Sequence, residues 1–219
     1  MKKYLEVATS LKPFMTKTQV LACILRLLIL DHGIKDNEYM IMASYCMKDF
    51  RAVTDLDVVV LKPAYQKIKN KGVGSISQAK MSGNERILLS FENILGEGAE
   101  IELFPKNKNQ GFPTSKQSLG YLHKHNQLIK DEFGNPYYSP KACAEQYSDI
   151  IYDLKTEKYM FGPYEISKER VKKNINHLTL MLKNFKSDRE FISTKLNYLK
   201  QIYKGSQQTK KTKKRKSIT

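Results

Sequence analysis

Asp55 and Asp57 head the run Asp-Leu-Asp-Val-Val-Val-Leu, and the β-branched apolar residues behind them mark a buried strand. Residues two apart in a strand point the same way. The two carboxylates therefore project side by side from the edge of a core strand, where repulsion and partial loss of water are costly unless a cation sits between them. That is the geometry of a Mg²⁺ site. Its plain alternative is a solvated strand end, because Asp-x-Asp also opens strands that hold no metal.

More groups lie within reach of the pair. A short apolar strand over 39–43 ends in Ser44, eleven residues ahead of Asp55, and Thr54 directly precedes the aspartates. Farther on, the segment Ala99-Glu-Ile-Glu-Leu-Phe-Pro105 alternates, with Ile101 and Leu103 on one face and Glu100 and Glu102 on the other. A third carboxylate is thereby available. Strand register decides between Glu102 and Glu100, and we nominate Glu102 with Glu100 as the alternate; the other reading of this segment is a solvated strand face carrying two glutamates.

Ser44 followed by Thr54-Asp55-Leu56-Asp57 resembles the signature of the nucleotidyltransferase superfamily, which includes the DNA polymerase β-like and minimal nucleotidyltransferases. In that family a Gly-Ser turn closes the first core strand and Ser/Thr-Asp-x-Asp opens the second. The likeness spans residues 38–104. Two positions depart from it: Ala43 stands in place of the glycine, and the third acidic residue is a glutamate rather than the commoner aspartate. The resemblance implies an α/β (α+β) fold with a mixed sheet and helices on one face. It also implies Mg²⁺ held by Asp55, Asp57 and Glu102, with a nucleoside triphosphate as substrate. Ala43 and Ser44 would then meet the β- and γ-phosphates, with Lys48 or Arg51 adding charge. The reaction implied is in-line attack of an acceptor hydroxyl on the α-phosphate, Glu102 or Glu100 positioning or deprotonating the nucleophile. The acceptor could be an RNA end, a protein or a small molecule.

The elements that would position these groups can be read from capping and periodicity. Thr16 and Gln19 have the spacing of a capping box, and Gly33 a stop, which predicts a helix over 17–32 whose apolar residues surround most of its circumference. Such a helix belongs against a sheet. Residues 2–12 suggest a further short helix. Pro63 suits the first turn of a helix reaching Asn70, and a hairpin follows, with its turn at Ser82-Gly-Asn84 and its returning strand over 86–91. A polar loop from Lys106 to Asn126 holds a short helix over 115–122, and 128–138 reads as a small hairpin around Phe133-Gly-Asn-Pro136. Its aromatic residues are expected in a core rather than stacked on a base. His123 and His125, with no Cys or acidic cluster beside them, read as surface histidines.

From Ser139 the sequence looks helical. Helices are expected over 139–154, from Ser167 with Val171, Ile175, Leu178, Leu182 and Phe185 as its apolar stripe, and from Asp188 with Ile192, Leu196, Leu199 and Tyr203. The resulting division is a nucleotidyltransferase-like core over 1–112, a mainly helical region with the small hairpin over 113–204, and a disordered basic tail over 205–219.

The chain's 219 residues, 41% hydrophobic and 10% aromatic, can fill a core, which excludes wholesale disorder. Of the 38 basic residues, seven lie in the last sixteen positions, yet the rest of the chain keeps a net +9 of the total +16. Such a body favours a polyanionic partner, RNA, DNA or nucleotide, although a Lys- and Asn-rich composition also arises from an AT-rich genome. The run from Lys210 to Lys216 resembles a nuclear-import signal and equally suits phosphate contacts. Cys23, Cys46 and Cys143 are odd in number and widely spaced, as free thiols in a reducing compartment would be. With no apolar stretch long enough to span a bilayer and no signal-peptide core, the expectation is an intracellular protein, cytoplasmic or nuclear, with no membrane partner. The rival to catalysis is an inactive protein of the same fold that binds nucleic acid or a protein. A third possibility is a nucleic-acid-binding scaffold of unrelated fold.

Overall fold

The computed structural model describes residues 1–51, 53–79, 85–107 and 118–216, and shows an α/β protein with a seven-stranded mixed sheet and a mainly helical C-terminal part. The described residues fall into two compact units, one ending at Ser139 and the other starting at Pro140.

The first unit opens with α1 (Lys2–Leu11) and α2 (Lys17–Asp31). The expected capping box is present: the Thr16 hydroxyl accepts from the Gln19 N–H at 3.3 Å, and the Gln19 side chain accepts from the Thr16 N–H at 3.1 Å. Gly33 follows the helix at φ +59°, a conformation that favours glycine. Next come β1 (Tyr39–Ile41), a 3₁₀ turn (Ala43–Met47), β2 (Asp55–Leu61), α3 (Lys62–Asn70), β3 (Ser75–Gln78), β4 (Glu85–Ser90), α4 (Glu92–Leu95) and β5 (Glu100–Lys106). After them α5 (Leu119–Lys124), β6 (Leu128–Lys130) and β7 (Pro136–Tyr138) complete the unit. The hairpin turn expected at 82–84 and residues 108–117 of the loop expected over 106–126 lie outside the described residues.

The strands run in the order β3-β4-β5-β2-β1-β7-β6. β2 is central, parallel to β5 and antiparallel to β1. Its Leu56, Val58, Val59 and Val60 are all buried, the continuous apolar run of a strand covered on both faces. One face carries Ile41, Leu56, Val58, Val60, Ile87, Leu89, Ile101 and Leu103, which join the inward residues of α1, α2 and α3 in a single core. Alternation sends Asp55, Asp57, Glu100 and Glu102 to the opposite face.

The 128–138 hairpin belongs to this sheet and not to the helical region. β7 pairs in parallel with β1 through Ile41 and Tyr137, so among the described residues the first unit takes in this hairpin and runs to Ser139. What fastens the hairpin is a buried amide that periodicity could not reveal. Asn135 donates to the Ala22 carbonyl at 2.9 Å and accepts from the Tyr39 hydroxyl at 2.9 Å. Asp131 adds an Asx turn, accepting from the N–H groups of Phe133 at 3.0 Å and Asn135 at 2.8 Å.

The second unit holds α6 (Pro140–Ser148), β8 (Ile151–Asp153), β9 (Lys158–Phe161), β10 (Tyr164–Ile166), α7 (Lys168–Asn184) and α8 (Arg189–Lys216). The helix expected over 139–154 ends at Ser148, and an antiparallel three-stranded sheet, β10-β9-β8, follows. β-Branched and aromatic residues at Ile151, Tyr152, Tyr159 and Phe161 favour the strands. The Asp153 carboxylate closes the first turn by accepting from the Lys155 N–H and the Thr156 hydroxyl, both at 2.8 Å. Gly162, at φ +57°, opens the two-residue loop between β9 and β10. Ser167 caps α7 as expected, accepting from the Arg170 N–H at 3.2 Å. Val171, Leu178, Met181, Ile192, Leu196 and Leu199 are buried. α8 continues through 205–216, where composition alone suggested a disordered tail; Lys, Gln and Arg are good helix formers, and no proline interrupts them. Among the described residues no helix is long and apolar enough to cross a membrane.

Candidate functional site

The parallel pairing of β2 with β5 settles the register that the sequence left open. Asp55 faces Glu100 and Asp57 faces Glu102 as direct partners, so four carboxylates form two rungs on one face of the sheet. Oxygen atoms of Asp55, Asp57 and Glu102 all lie within 4.8 Å of one another, and each residue is partly buried. Two ligands of a single Mg²⁺ are separated by at most about 4.2 Å, so small side-chain shifts would gather all three. Three hard anionic oxygens on rigid strands suit a divalent cation, and these residues fit one.

β4 borders the acidic rungs on the other side. It pairs antiparallel with β5, placing Ser90 against Glu100 and Leu88 against Glu102. Arg86 shares their face one step along and reaches diagonally to Glu102, forming an ion pair in which the side chains are 15% and 13% exposed. Its Nε donates to the Ser77 hydroxyl across the β3-β4 pair at 3.0 Å. Sequence reading passed over Arg86. The alternation Arg86, Leu88, Ser90 carried its face, but only the pairing of β4 with β5 shows that this face is the acidic one.

Glu100 is partly buried beside like charges. Loss of water raises its pKa above the usual carboxylate range, and Glu92, Glu102 and Asp55 add to the rise, while Arg86 opposes it. Glu92, another residue the sequence reading left aside, accepts from the Gly98 N–H at 2.7 Å and so shapes the turn into β5. Gly98 holds φ +70° in that turn, and a Cβ there would sit 3.2 Å from the Thr54 Cβ. The glycine thereby lets the entrance to β5 lie close against the entrance to β2.

The opposite flank is the turn after β1. The Met42 N–H donates to the Asp57 carbonyl at 2.7 Å, so the chain leaves the sheet beside Asp57, and Ala43 and Ser44 open the 3₁₀ turn. Ser44 is partly buried there. Lys48 is committed elsewhere: its ammonium pairs with Glu132 at 2.7 Å and lies 5.1 Å from the Tyr45 ring centre and 5.6 Å from that of Tyr137. Tyr45 donates to Asp131 at 2.7 Å, and burial together with that carboxylate pushes its pKa far up. Arg51 follows on the same loop, its N–H bonded to the Met47 carbonyl at 3.0 Å. The structure thus brings Asp55, Asp57 and Glu102 together, sets Glu100 beside them, starts the Ser44 turn next to Asp57, and occupies Lys48 in a clamp with Glu132.

Comparison with protein-family models, with curated proteins and with solved structures found no match to this chain.

Proposed function

We propose that this protein is a Mg²⁺-dependent nucleotidyltransferase of the DNA polymerase β-like superfamily, moving a nucleoside monophosphate from a nucleoside triphosphate to an acceptor hydroxyl. The observation that carries the reading is the meeting of Asp55, Asp57 and Glu102 within 4.8 Å on two adjacent parallel strands. The Ser44 turn, starting beside Asp57, supports it. Asp55, Asp57 and Glu102 would hold the ion. When bound, Mg²⁺ supplies charge neutralisation at the phosphates and orients the leaving pyrophosphate.

The chain's own groups divide the remaining work. The Ser44 hydroxyl donates to a β- or γ-phosphate oxygen, and the backbone of Ala43 and Ser44 lines that side of the nucleotide. Glu100, its pKa raised by its surroundings, accepts the proton of the acceptor hydroxyl. The new bond joins the acceptor oxygen to the α-phosphorus as the bond to the bridging oxygen breaks, and pyrophosphate leaves. An intracellular setting belongs to this reading, in keeping with three free cysteines.

A second reading rests on charge. Residues 140–219 hold 19 basic against 8 acidic side chains, +11 of the chain's +16. Lys168, Arg170, Lys172, Lys173 and Lys183 are exposed on α7. A protein of this fold that only binds RNA or DNA phosphates would use that surface.

The test is calorimetric binding of each nucleoside triphosphate with and without Mg²⁺, together with transfer from α-³²P-labelled nucleotide, in the wild type and in Asp55→Ala/Asp57→Ala. Metal-dependent binding and label transfer that vanish in the double variant are the expected result. Binding indifferent to Mg²⁺, with no transfer to RNA, DNA or protein, overturns catalysis and leaves the nucleic-acid-binding reading.

A further inference from the structure

Arg86 is a largely buried cation placed against a carboxylate that the proposed metal would also claim. Its ion pair with Glu102 joins side chains only 15% and 13% exposed. Asp55, Asp57, Glu100 and Glu102 crowd like charges onto one face of the sheet, and Arg86 sets a positive charge beside them from within the sheet. Two features fix it there. β4 supplies it on the carboxylate face one step beyond Leu88, the partner of Glu102, and Ser77 accepts from its Nε at 3.0 Å. The Nη1 edge is thereby aimed at Glu102 while Nε is held by β3. In the strand order β4-β5-β2-β1, Arg86 and the Ser44 turn lie on opposite flanks of the carboxylates.

We propose that Arg86 is a positioning residue that competes with a divalent cation for Glu102 and so sets the affinity of the site for metal. The inference rests on reading the three carboxylates as a metal site and adds to it the group that governs their occupancy. Without metal the guanidinium holds the Glu102 carboxylate in place. On binding, a divalent ion has to draw a Glu102 oxygen away from Arg86 or share it, working against a unit positive charge a few ångströms off. Because its flank is opposite to the Ser44 turn, Arg86 acts on metal affinity and not on the triphosphate.

Mn²⁺ binding in the absence of nucleotide, followed by the electron paramagnetic resonance signal of the free ion at pH 7, reads this directly. Arg86→Met keeps the apolar stem and removes the charge, and should bind Mn²⁺ at least about tenfold more tightly than wild type, given the strength of such a charge pair in a partly buried site. Arg86→Lys, a point charge without the fork, should fall between them. Ser77→Ala, on an edge strand, frees the guanidinium without touching a charge and should tighten binding to a smaller degree. Asp57→Asn added to Arg86→Met should abolish the gain. Equal or weaker binding by Arg86→Met and Ser77→Ala, both folded by circular dichroism, overturns the inference. Absence of Mn²⁺ binding in every variant overturns it too. Nucleotide transfer by the wild type decides the transferase reading separately, so a protein that transfers label but whose Arg86→Met form gains no Mn²⁺ affinity loses this inference alone.

Discussion

Asp57 and Glu102 are direct partners across the parallel strands β2 and β5, and their carboxylates share the face turned away from the apolar core. Like charges set opposite each other in a sheet are destabilising. Without metal, Asp57→Asn should therefore raise stability by about 0.5 kcal/mol in urea unfolding. Saturating Mn²⁺ should reverse the order: at a hundred times its Kd a ligand adds about 2.7 kcal/mol to the wild type, and the variant should gain little. A variant that gains as much as the wild type would place the ion elsewhere. In the transfer assay the same substitution should lower turnover by at least about a hundredfold, since the ion's contribution is several kcal/mol of charge stabilisation.

Glu100 gives the site a pH signature. Its folded pKa is raised by burial and by Glu92, Glu102 and Asp55, so the folded protein holds this proton more tightly than the unfolded chain, and ionising Glu100 costs stability. The cost is absent below the ordinary glutamate value of 4.5, grows as pH rises, and is fully present above the folded pKa. Glu100→Gln should accordingly stabilise the protein at pH 7, with the gain fading as pH falls toward 4.5 and absent below it. Chemical unfolding at three pH values checks the sign. A gain that grew on acidification would mean that Glu100 is held ionised by a partner.

Lys48 offers a test of the phosphate side. Its ammonium is engaged by Glu132 and the rings of Tyr45 and Tyr137, so Lys48→Met should cost about 1 kcal/mol of stability. Nucleoside triphosphate affinity should change less than about twofold, because a lysine committed to that clamp makes no phosphate contact of the kind worth a charge-assisted bond. Calorimetry on the two proteins separates these outcomes.

These contrasts show which parts of the molecule the sequence carries. β2, α2 and α7 were legible because each is specified locally: a β-branched run, a Thr16-Gln19 capping box, a Ser167 cap ahead of a regular stripe. Asp55 and Asp57 were legible for the same reason, since period two alone puts them on one face. Glu102 could be nominated but not separated from Glu100, because register is a property of the pair β2 and β5 and residues 62–99 intervene. Arg86 was invisible on the same grounds. The β6-β7 hairpin was found but assigned to the wrong part, for its place beside β1 is fixed by Asn135 reaching Ala22, a contact spanning 113 residues. β8, β9 and β10 were missed because three- and four-residue strands leave too few alternations to read beside two strong helices.

Asn135 also carries a prediction of its own. It is fully buried, donates to Ala22 and to Asp131, and accepts from Tyr39, whose own pKa is pushed up to about 12 by burial. Asn135→Ala leaves a buried carbonyl and a buried hydroxyl without this partner and should lower stability by about 3 kcal/mol. If the loss is below about 0.5 kcal/mol, water replaces the amide and the hairpin is held by other means.

Gly98 and Gly96, two residues apart in the turn before β5, ask whether the entrance to β2 is tuned. Both have positive φ, +70° and +89°, and Gly96 with ψ 175° lies in a region open essentially to glycine alone, so alanine costs on the order of 1–3 kcal/mol of backbone strain there and about 1 kcal/mol or more at Gly98. They differ in what the new methyl group meets. At Gly98 it would lie 3.2 Å from the Thr54 Cβ, tighter than ordinary contact, whereas at Gly96 its nearest neighbour is the Lys17 ammonium at an ordinary 3.9 Å. Thr54 directly precedes Asp55, so displacing it shifts the first carboxylate of the site. Gly98→Ala should therefore weaken Mn²⁺ binding several-fold beyond its effect on stability, while Gly96→Ala, although it should lose stability through its backbone, should bind the ion as the wild type does. Equal Mn²⁺ affinity in the two variants would mean that the approach of Gly98 to Thr54 serves packing alone.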